Sequence, residues 1–245
     1  MKTLGILGGM GPLATVDFMA KVIAATPAAR DQDHIPMVVV SRPQIPDRNT
    51  AMDGRGPSPV PAMCAALRAL EAAGAQGVAI ACNTAHAWIE ELRAATSLPL
   101  LHIAEAADAA LARRPGQVRK IGLVATTATV SAGFYQRRLA AAGRETLLPD
   151  AAMQARIMAA IGAVKRGEVA AAGHALEAEI MLLVEAGADA VLLACTEVPV
   201  ALDAVASPLR ARCIDATAAL AVASVEWSKA SHGSPAAAKH GEQMA

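Results

Sequence analysis

The chain has few aromatic residues, no excess charge of either sign and no long apolar run. Only 2% of its 245 residues are aromatic, and Lys plus Arg and Asp plus Glu both number 22, so the formal net charge is zero. Few rings can stack on bases, and no net field attracts nucleic acid or an anionic membrane. No uninterrupted apolar run reaches the roughly 18 residues of a membrane helix. We therefore expect neither a nucleic-acid nor a membrane partner.

The N-terminal segment and the cysteine spacing bear on the cellular compartment. The chain shows no signal-peptide core and no small-residue cleavage site, so we expect a cytoplasmic protein. Its four cysteines include no C-x-x-C pair. That spacing fits neither a disulfide scaffold nor a structural zinc site. We expect reduced thiols and no bound metal.

Apolar runs alternate with helical patterns along the first half, and 54% of the chain is apolar. The alternation predicts a parallel sheet with helices on both faces. Strands are predicted at 3–7, 37–41, 77–82 and 99–103, and helices at 13–25, 60–73, 83–95 and 105–112. In the second half, helices are predicted at 129–142, 151–165, 168–186 and 215–227, with strands after Arg119 and at 190–195.

The second half repeats the first. The run that begins at Arg119 echoes the run that begins at Lys2, and the segment that ends at Cys195 echoes the segment that ends at Cys82. Such self-similarity indicates an internal duplication of an α/β unit. We predict two pseudo-symmetric, flavodoxin-like or Rossmann-like α/β/α domains at 1–113 and 114–227, with the active site in the cleft between them. The helix at 215–228 could return to the first domain, and 228–245 is expected to be a frayed tail.

Cys82 and Cys195 occupy equivalent strand ends in this duplication. Ligands of open parallel sheets bind beyond the carboxyl ends of the strands, where both thiols would emerge. A helix is predicted to begin beside each thiol, and its N-terminus would lower the thiol pKa toward the range of a working base. Cys64 and Cys213 lie in apolar segments and are interpreted as structural.

Two thiols that face each other across one cleft could invert a stereocentre. One would remove the α-proton as a thiolate, and the other would return a proton on the opposite face. The backbone N–H groups and the side chains of Asn83, Thr84 and Thr196 could stabilise the carbanion. This scheme needs no cofactor. His86 and His102 are interpreted as structural histidines rather than catalytic ones.

Three motifs, Gly8-Gly9-Met10-Gly11-Pro12, Ala81-Cys82-Asn83-Thr84-Ala85-His86 and Ala194-Cys195-Thr196-Glu197, resemble the aspartate/glutamate racemase superfamily. The resemblance covers nearly the whole chain apart from the tail. It implies a cofactor-independent racemase that acts on a small acidic amino acid, and it implies a homodimer. Glu197 replaces the histidine typical of glutamate racemases, so the chain is closest to the aspartate racemase branch.

The resemblance also implies substrate contacts. It places Arg48 and Lys165 on the carboxylates of the substrate, and a dicarboxylate needs such cations at its far end. Met10 and its neighbouring glycines would let the backbone approach the substrate. Thr126 would donate to a carboxylate or cap the next helix, and Glu197 would support Cys195.

Several alternatives stay open. The scaffold could serve a broad-specificity amino-acid racemase, a hydantoin racemase or a maleate isomerase, whereas a related decarboxylase needs only one cysteine. A non-catalytic carboxylate-binding protein would use the same pocket. The run Gly9-Met10-Gly11-Pro12-Leu13-Ala14 satisfies a dinucleotide fingerprint, but Ser41-Arg42 stands where an acidic residue is expected. Aspartate cannot be separated from glutamate, because pocket width depends on loop 42–58.

Overall fold

The computed structural model of the chain describes residues 1–230. The strands within this part are β1 (Leu4–Gly8), β2 (Met37–Ser41), β3 (Gly77–Ile80), β4 (Leu100–Leu101), β5 (Lys120–Ala125), β6 (Glu145–Leu147), β7 (Ala190–Ala194) and β8 (Cys213–Asp215). The helices are α1 (Pro12–Ala25), α2 (Arg48–Met52), α3 (Val60–Ala72), α4 (Ile89–Ala94), α5 (Ile103–Ala112), α6 (Thr127–Ala132), α7 (Phe134–Ala141), α8 (Ala151–Lys165), α9 (Val169–Glu185), α10 (Glu197–Ala204) and α11 (Ala216–Lys229).

The strands form two parallel four-stranded sheets with the same topology. Their orders are β2-β1-β3-β4 and β6-β5-β7-β8. The central strands pair in register, with Leu4 opposite Gly77 in the first sheet and Ile121 opposite Ala190 in the second. The prediction of a duplicated parallel α/β architecture is confirmed. Across residues 1–230, no helix combines the length and apolar character that a membrane span requires.

The side chains of the central strands alternate between two cores, as the two-residue period of a strand requires. Leu4, Ile6 and their equivalents in the second sheet, such as Ile121, enter one apolar core that joins both sheets through α1, α5, α7 and α11. Leu7 faces an outer core under α3 and α4, and Val124 faces its counterpart under α8, α9 and α10. Both sheets are therefore covered on two faces.

The last helix of each half packs on the other half. Helix α5 contacts α7 and β8, whereas α11 contacts α1 and β4. The Lys2 amide donates a hydrogen bond to the Ser228 carbonyl, and the Ser228 hydroxyl donates to the Lys2 carbonyl. The helix thus runs past the position where the frayed tail was predicted to begin, because Ser228 is buried against the N-terminus. The rest of that predicted tail, 231–245, lies outside the described residues.

Local structure departs from the predicted helices in two places. The helix predicted at 129–142 divides at Gly133, which adopts a left-handed φ of 69° and separates α6 from α7. The helix predicted at 83–95 begins as a 3-10 turn, Thr84–Trp88, before α4. Strands β6 and β8 and helix α2 were not predicted, and the helix predicted to begin beside Cys195, α10, was given no bounds. They are short, so periodicity gives little signal for them.

Candidate active site

A small cavity of about 10 Å³ lies at the carboxyl ends of the four central strands. It is lined by all ten residues that the sequence nominated and by Asn49, which the sequence analysis missed. The nominated residues are Met10, Arg48, Cys82, Asn83, Thr84, Thr126, Lys165, Cys195, Thr196 and Glu197. Both halves contribute residues to this lining. Residues 10, 48 and 82–84 lie in the first half of the chain, and the other nominated residues lie in the second half.

Cys195 directly follows β7 and is buried beside a carboxylate. Its thiol donates a hydrogen bond to Oε2 of Glu197 at 3.1 Å, and the Thr196 hydroxyl donates to the same oxygen at 2.9 Å. Burial raises the pKa of Cys195 well above its usual value, and the negative charge and the hydrogen bond of Glu197 raise it further. Cys195 is therefore a thiol at neutral pH.

The predicted lowering of the Cys195 pKa by a helix N-terminus is wrong. Glu197 is the first residue of α10 and occupies the positive end of that helix with its own carboxylate. Burial of the sulfur also disfavours the charged form. A helix of eight residues supplies only a partial charge at its end, which does not outweigh these two effects.

Cys82 is buried beyond the end of β3, and its carbonyl is fixed by His86. Nδ1 of His86 donates to the Cys82 carbonyl at 2.9 Å, while Nε2 accepts from the Ile103 amide at 3.3 Å. Burial lowers the pKa of His86 to about 3, and the neighbouring His102 adds to this shift. His86 is thus a neutral imidazole with a defined tautomer. It positions the backbone of Cys82 and does not reach the cavity.

Three threonine hydroxyls join the halves behind the two thiols. Oγ1 of Thr84 lies 2.9 Å from Oγ1 of Thr126 and 2.9 Å from Oγ1 of Thr129, which are themselves 3.0 Å apart. Thr126 also caps α6 by accepting from the Thr129 amide. Thr126 therefore caps a helix, as one of the two roles considered for it requires, and it also lines the cavity.

Asn83 is held by Tyr135, the only tyrosine of the chain. The Tyr135 hydroxyl donates to Oδ1 of Asn83. Within residues 1–230, the Nδ2 of Asn83 is buried and has no hydrogen-bond partner. The oriented amide therefore offers a donor to whatever occupies the cavity.

Arg48 and Lys165 bring two cations to the cavity from opposite halves. Nη1 of Arg48 donates to the carbonyls of Ile45 and Pro46, and Nη2 donates to the carbonyl of Met10 at 3.1 Å. The guanidinium is buried, and the ion pairs found within residues 1–230 do not include it. Lys165 ends α8 and is exposed. Within residues 1–230, neither cation forms an ion pair with a carboxylate.

A wider cavity of about 500 Å³ adjoins the thiol cavity and shares Arg48, Lys165 and Glu197 with it. Its other walls are largely apolar and include Leu13, Val164 and Val200. Because the shared residues line both spaces, the wider cavity forms the mouth of the site.

Three residues of the site region escaped the sequence analysis. Asn49 follows Arg48 in a loop that had already been singled out, so its position was a usable signal. Thr129 and Tyr135 lie within a predicted helix. Their roles depend on contacts with the first half, which no local pattern encodes.

Comparison with known proteins agrees with this geometry. The family model for the Asp/Glu/Hydantoin racemases matches residues 7–224. A broad specificity amino-acid racemase of Bacillus subtilis is 31% identical over 228 residues, which cover 91% of this chain and 96% of that protein.

Two solved structures extend the comparison. An aspartate racemase of Picrophilus torridus is 34% identical, with a TM-score of 0.83 and coverage of 93% of this chain and 94% of that one. A glutamate racemase of Campylobacter jejuni is 20% identical, with a TM-score of 0.63 and coverage of 93% and 85%, and this likeness shows the fold alone.

Proposed function

This chain belongs to the Asp/Glu/Hydantoin racemase family. We propose that it interconverts L- and D-aspartate, with glutamate as a second substrate, by moving the α-proton between Cys82 and Cys195 without a cofactor. The observation that carries the proposal is the pair of buried thiols, from equivalent strand ends, that line one cavity. A racemase needs an acid and a base on opposite faces of its substrate, and duplicated halves supply such a pair.

The two thiols have different surroundings, which assigns their starting roles. Cys195 is held as a thiol by burial and by Glu197, so it is suited to deliver a proton. Cys82 has no carboxylate hydrogen-bonded to its sulfur within residues 1–230. We assign the role of the proton-abstracting base to Cys82 in the direction described below.

The proposed step balances as a simple proton transfer. The Cys82 thiolate takes the α-proton of the bound amino acid, and the Cys195 thiol gives its proton to the opposite face of the carbanion. The enzyme is left with a Cys82 thiol and a Cys195 thiolate. The reverse reaction, or proton exchange with solvent, restores the resting form.

Donors around the thiols would stabilise the charge that develops on the α-carboxylate. Asn83, whose Nδ2 has no partner within residues 1–230, and Thr84 line the same cavity, whereas the Thr196 hydroxyl already donates to Glu197. Fixed donors in a water-poor site stabilise a carbanion more than mobile water does. Arg48 and Lys165 would hold the distal carboxylate. The buried Arg48 guanidinium can donate two parallel hydrogen bonds, whereas the Lys165 ammonium acts as a compact positive charge.

A broader substrate range is the second candidate function. It is favoured by the likeness to the broad specificity racemase and by the wide, largely apolar mouth next to Arg48 and Lys165. A longer or apolar side chain could extend into that mouth. The homodimer implied by the family resemblance stays a prediction.

The test is chiral chromatography after incubation with L-aspartate, L-glutamate and L-alanine. The protein is first treated with hydroxylamine and dialysed, so that no pyridoxal phosphate remains. We expect aspartate to racemise, and we expect Cys82→Ser and Cys195→Ser to lower the rate by roughly 10²- to 10⁴-fold, the usual contribution of acid–base catalysis. Cys64→Ser is the matched control, since Cys64 lies on α3 outside the cavity.

Exchange of the α-proton in heavy water separates catalysis from simple binding. A racemase incorporates deuterium at Cα of the amino acid that it turns over. If none of the three amino acids exchanges, the chain is a binding protein; if either cavity variant keeps the wild-type rate, the two-thiol scheme is wrong.

A further inference from the structure

Two buried polar atoms that belong to residues of the thiol cavity have no hydrogen-bond partner within residues 1–230. One is the Nδ2 of Asn83, a donor, and the other is the Oδ1 of Asn49, an acceptor. Buried polar atoms of folded proteins are nearly always paired. An unpaired donor and an unpaired acceptor in one cavity indicate a ligand that carries both complementary groups.

The backbone of Asn49 is anchored without the use of its side chain. Asn49 is the second residue of α2, and its amide donates to Oδ1 of Asp47 at 3.0 Å. The Thr50 amide donates to the same oxygen at 2.9 Å. The Asp47 cap thus fixes the backbone position from which the Asn49 side chain extends. The side-chain amide of Asn49 remains available to a ligand.

Several other acceptor atoms of residues that line the cavity are already engaged. Oε2 of Glu197 accepts from Cys195 and Thr196, and Oδ1 of Asn83 accepts from Tyr135. The Met10 carbonyl accepts from Arg48. Donors for carboxylates are plentiful by comparison, because Arg48, Lys165 and Asn83 all supply them.

We propose that Asn49 is a specificity-determining residue that receives the α-ammonium group of the substrate through Oδ1. The site then prefers α-amino dicarboxylates to dicarboxylates of the same length without an amino group. The unpartnered Nδ2 of Asn83 takes the α-carboxylate beside it. This assignment rests on the proposed function for its substrate class, and it adds the contact that recognises the nitrogen.

The test compares the affinities of racemic aspartate and succinate by titration calorimetry. Racemic ligand is used because turnover does not change its composition. The wild type is expected to bind aspartate more tightly than succinate. Asn49→Leu is expected to raise the Kd for aspartate roughly tenfold or more, the usual effect of losing a hydrogen bond to a charged group. The Kd for succinate is expected to change less than about twofold.

Two further variants make the test specific. Asn49→Asp keeps an acceptor oxygen at the same place, so this variant is expected to retain the preference for aspartate. Its negative charge is expected to weaken the binding of both ligands. Thr50→Val, one residue further along α2, removes a hydroxyl that bonds only to the Asp47 carbonyl. We expect it to change neither affinity.

Several outcomes would overturn the assignment. Equal weakening of both ligands in Asn49→Leu would show a structural role, and loss of the preference in Asn49→Asp would show that the amide donates. A wild type that binds neither ligand, or binds both equally, would also refute it. Binding requires no turnover, so a chain that shows the expected affinities without racemising refutes the proposed function alone.

Discussion

The Cys195 thiol donates a hydrogen bond to Oε2 of Glu197, two residues further along the same chain, at 3.1 Å. No such contact exists at the equivalent position of the first half, where Thr84 follows Cys82 by two residues and bonds to threonine hydroxyls instead. The duplication therefore supplies two thiols with different hydrogen-bonding surroundings. One half is suited to hold a proton and the other to accept one.

Replacement of Glu197 by Gln should lower the pKa of Cys195. The charge is removed, but the burial that contributes most to the shift remains, so the pKa should fall without returning to its ordinary value. Thiolate absorbance in the ultraviolet, followed from pH 7 upward, should rise at lower pH than in the wild type. The double variant Cys195→Ser/Glu197→Gln assigns the signal, and identical titrations of wild type and Glu197→Gln would show that the carboxylate does not control the thiol.

Loss of either cation at the mouth should weaken the binding of substrates that carry a second carboxylate. Arg48→Leu is expected to raise the KM for aspartate roughly 10- to 100-fold, and Lys165→Met to raise it less, because Lys165 is exposed to water. Arg166→Met is the matched control for Lys165, since Arg166 is exposed and pairs with Glu168. Steady-state kinetics with aspartate and alanine provides the measurement. An equal rise of both KM values would mean that the cations do not recognise the distal carboxylate.

The buried His86 should make the protein sensitive to acid. Its pKa is lowered to about 3 by burial, whereas an unfolded histidine titrates near 6.5. The group therefore contributes stability that is present above pH 6.5 and is lost as pH falls toward 3. Urea unfolding of the wild type should show a marked fall in the free energy of unfolding between pH 7.5 and pH 5.

The variant His86→Asn isolates that contribution. Its amide can still donate to the Cys82 carbonyl but cannot take up a proton, so the protein should be less stable at pH 7.5 yet lose less on going to pH 5. His174→Asn, at an exposed position on α9, should leave the wild-type pH dependence intact. Equal slopes for wild type and His86→Asn would assign the acid sensitivity to other groups, such as His102.

The contact between Gly77 and Trp227 should be intolerant of any side chain at the glycine. A Cβ at Gly77 would overlap the indole ring of Trp227, by which α11 packs against the start of β3. Gly77→Ala should therefore destabilise the protein by about 1–3 kcal/mol, the usual cost of overpacking a core. Gly162→Ala in α8, where the nearest atom is the flexible end of Arg166, should be neutral or stabilising. Urea denaturation compares the two, and equal stabilities would show that the ring moves aside.

The parts of the fold that could be predicted from the sequence are those that local pattern encodes. The alternation of buried residues in β1 and β5, and the repeat that ends at Cys82 and Cys195, depend only on neighbouring residues. They led to the duplicated parallel architecture and to the two cysteines of the cavity with their neighbours, whereas Arg48 and Lys165 were nominated through the family resemblance. A wide set of side chains meets there because the carboxyl ends of parallel strands share one edge.

The remaining features depend on tertiary contacts. The spacing of apolar residues did not reveal that the helix divides at Gly133. The φ angle of Gly133 depends on how α7 turns to meet the first half. The acidity of Cys195 depends on burial and on the side-chain direction of Glu197, and the sequence places that residue without orienting it. Asn49 became a candidate only when its oxygen was found buried without a partner.

The exchange of α5 and α11 between the halves has an evolutionary consequence. A half-length ancestor with this packing would have been an intertwined homodimer, each subunit holding its final helix against its partner and giving one thiol to a shared cavity. Symmetry would have forced both thiols to keep identical neighbours. Fusion of two copies into one chain would have removed that constraint, and the carboxylate beside Cys195 but not Cys82 is a difference that a symmetric dimer could not have carried.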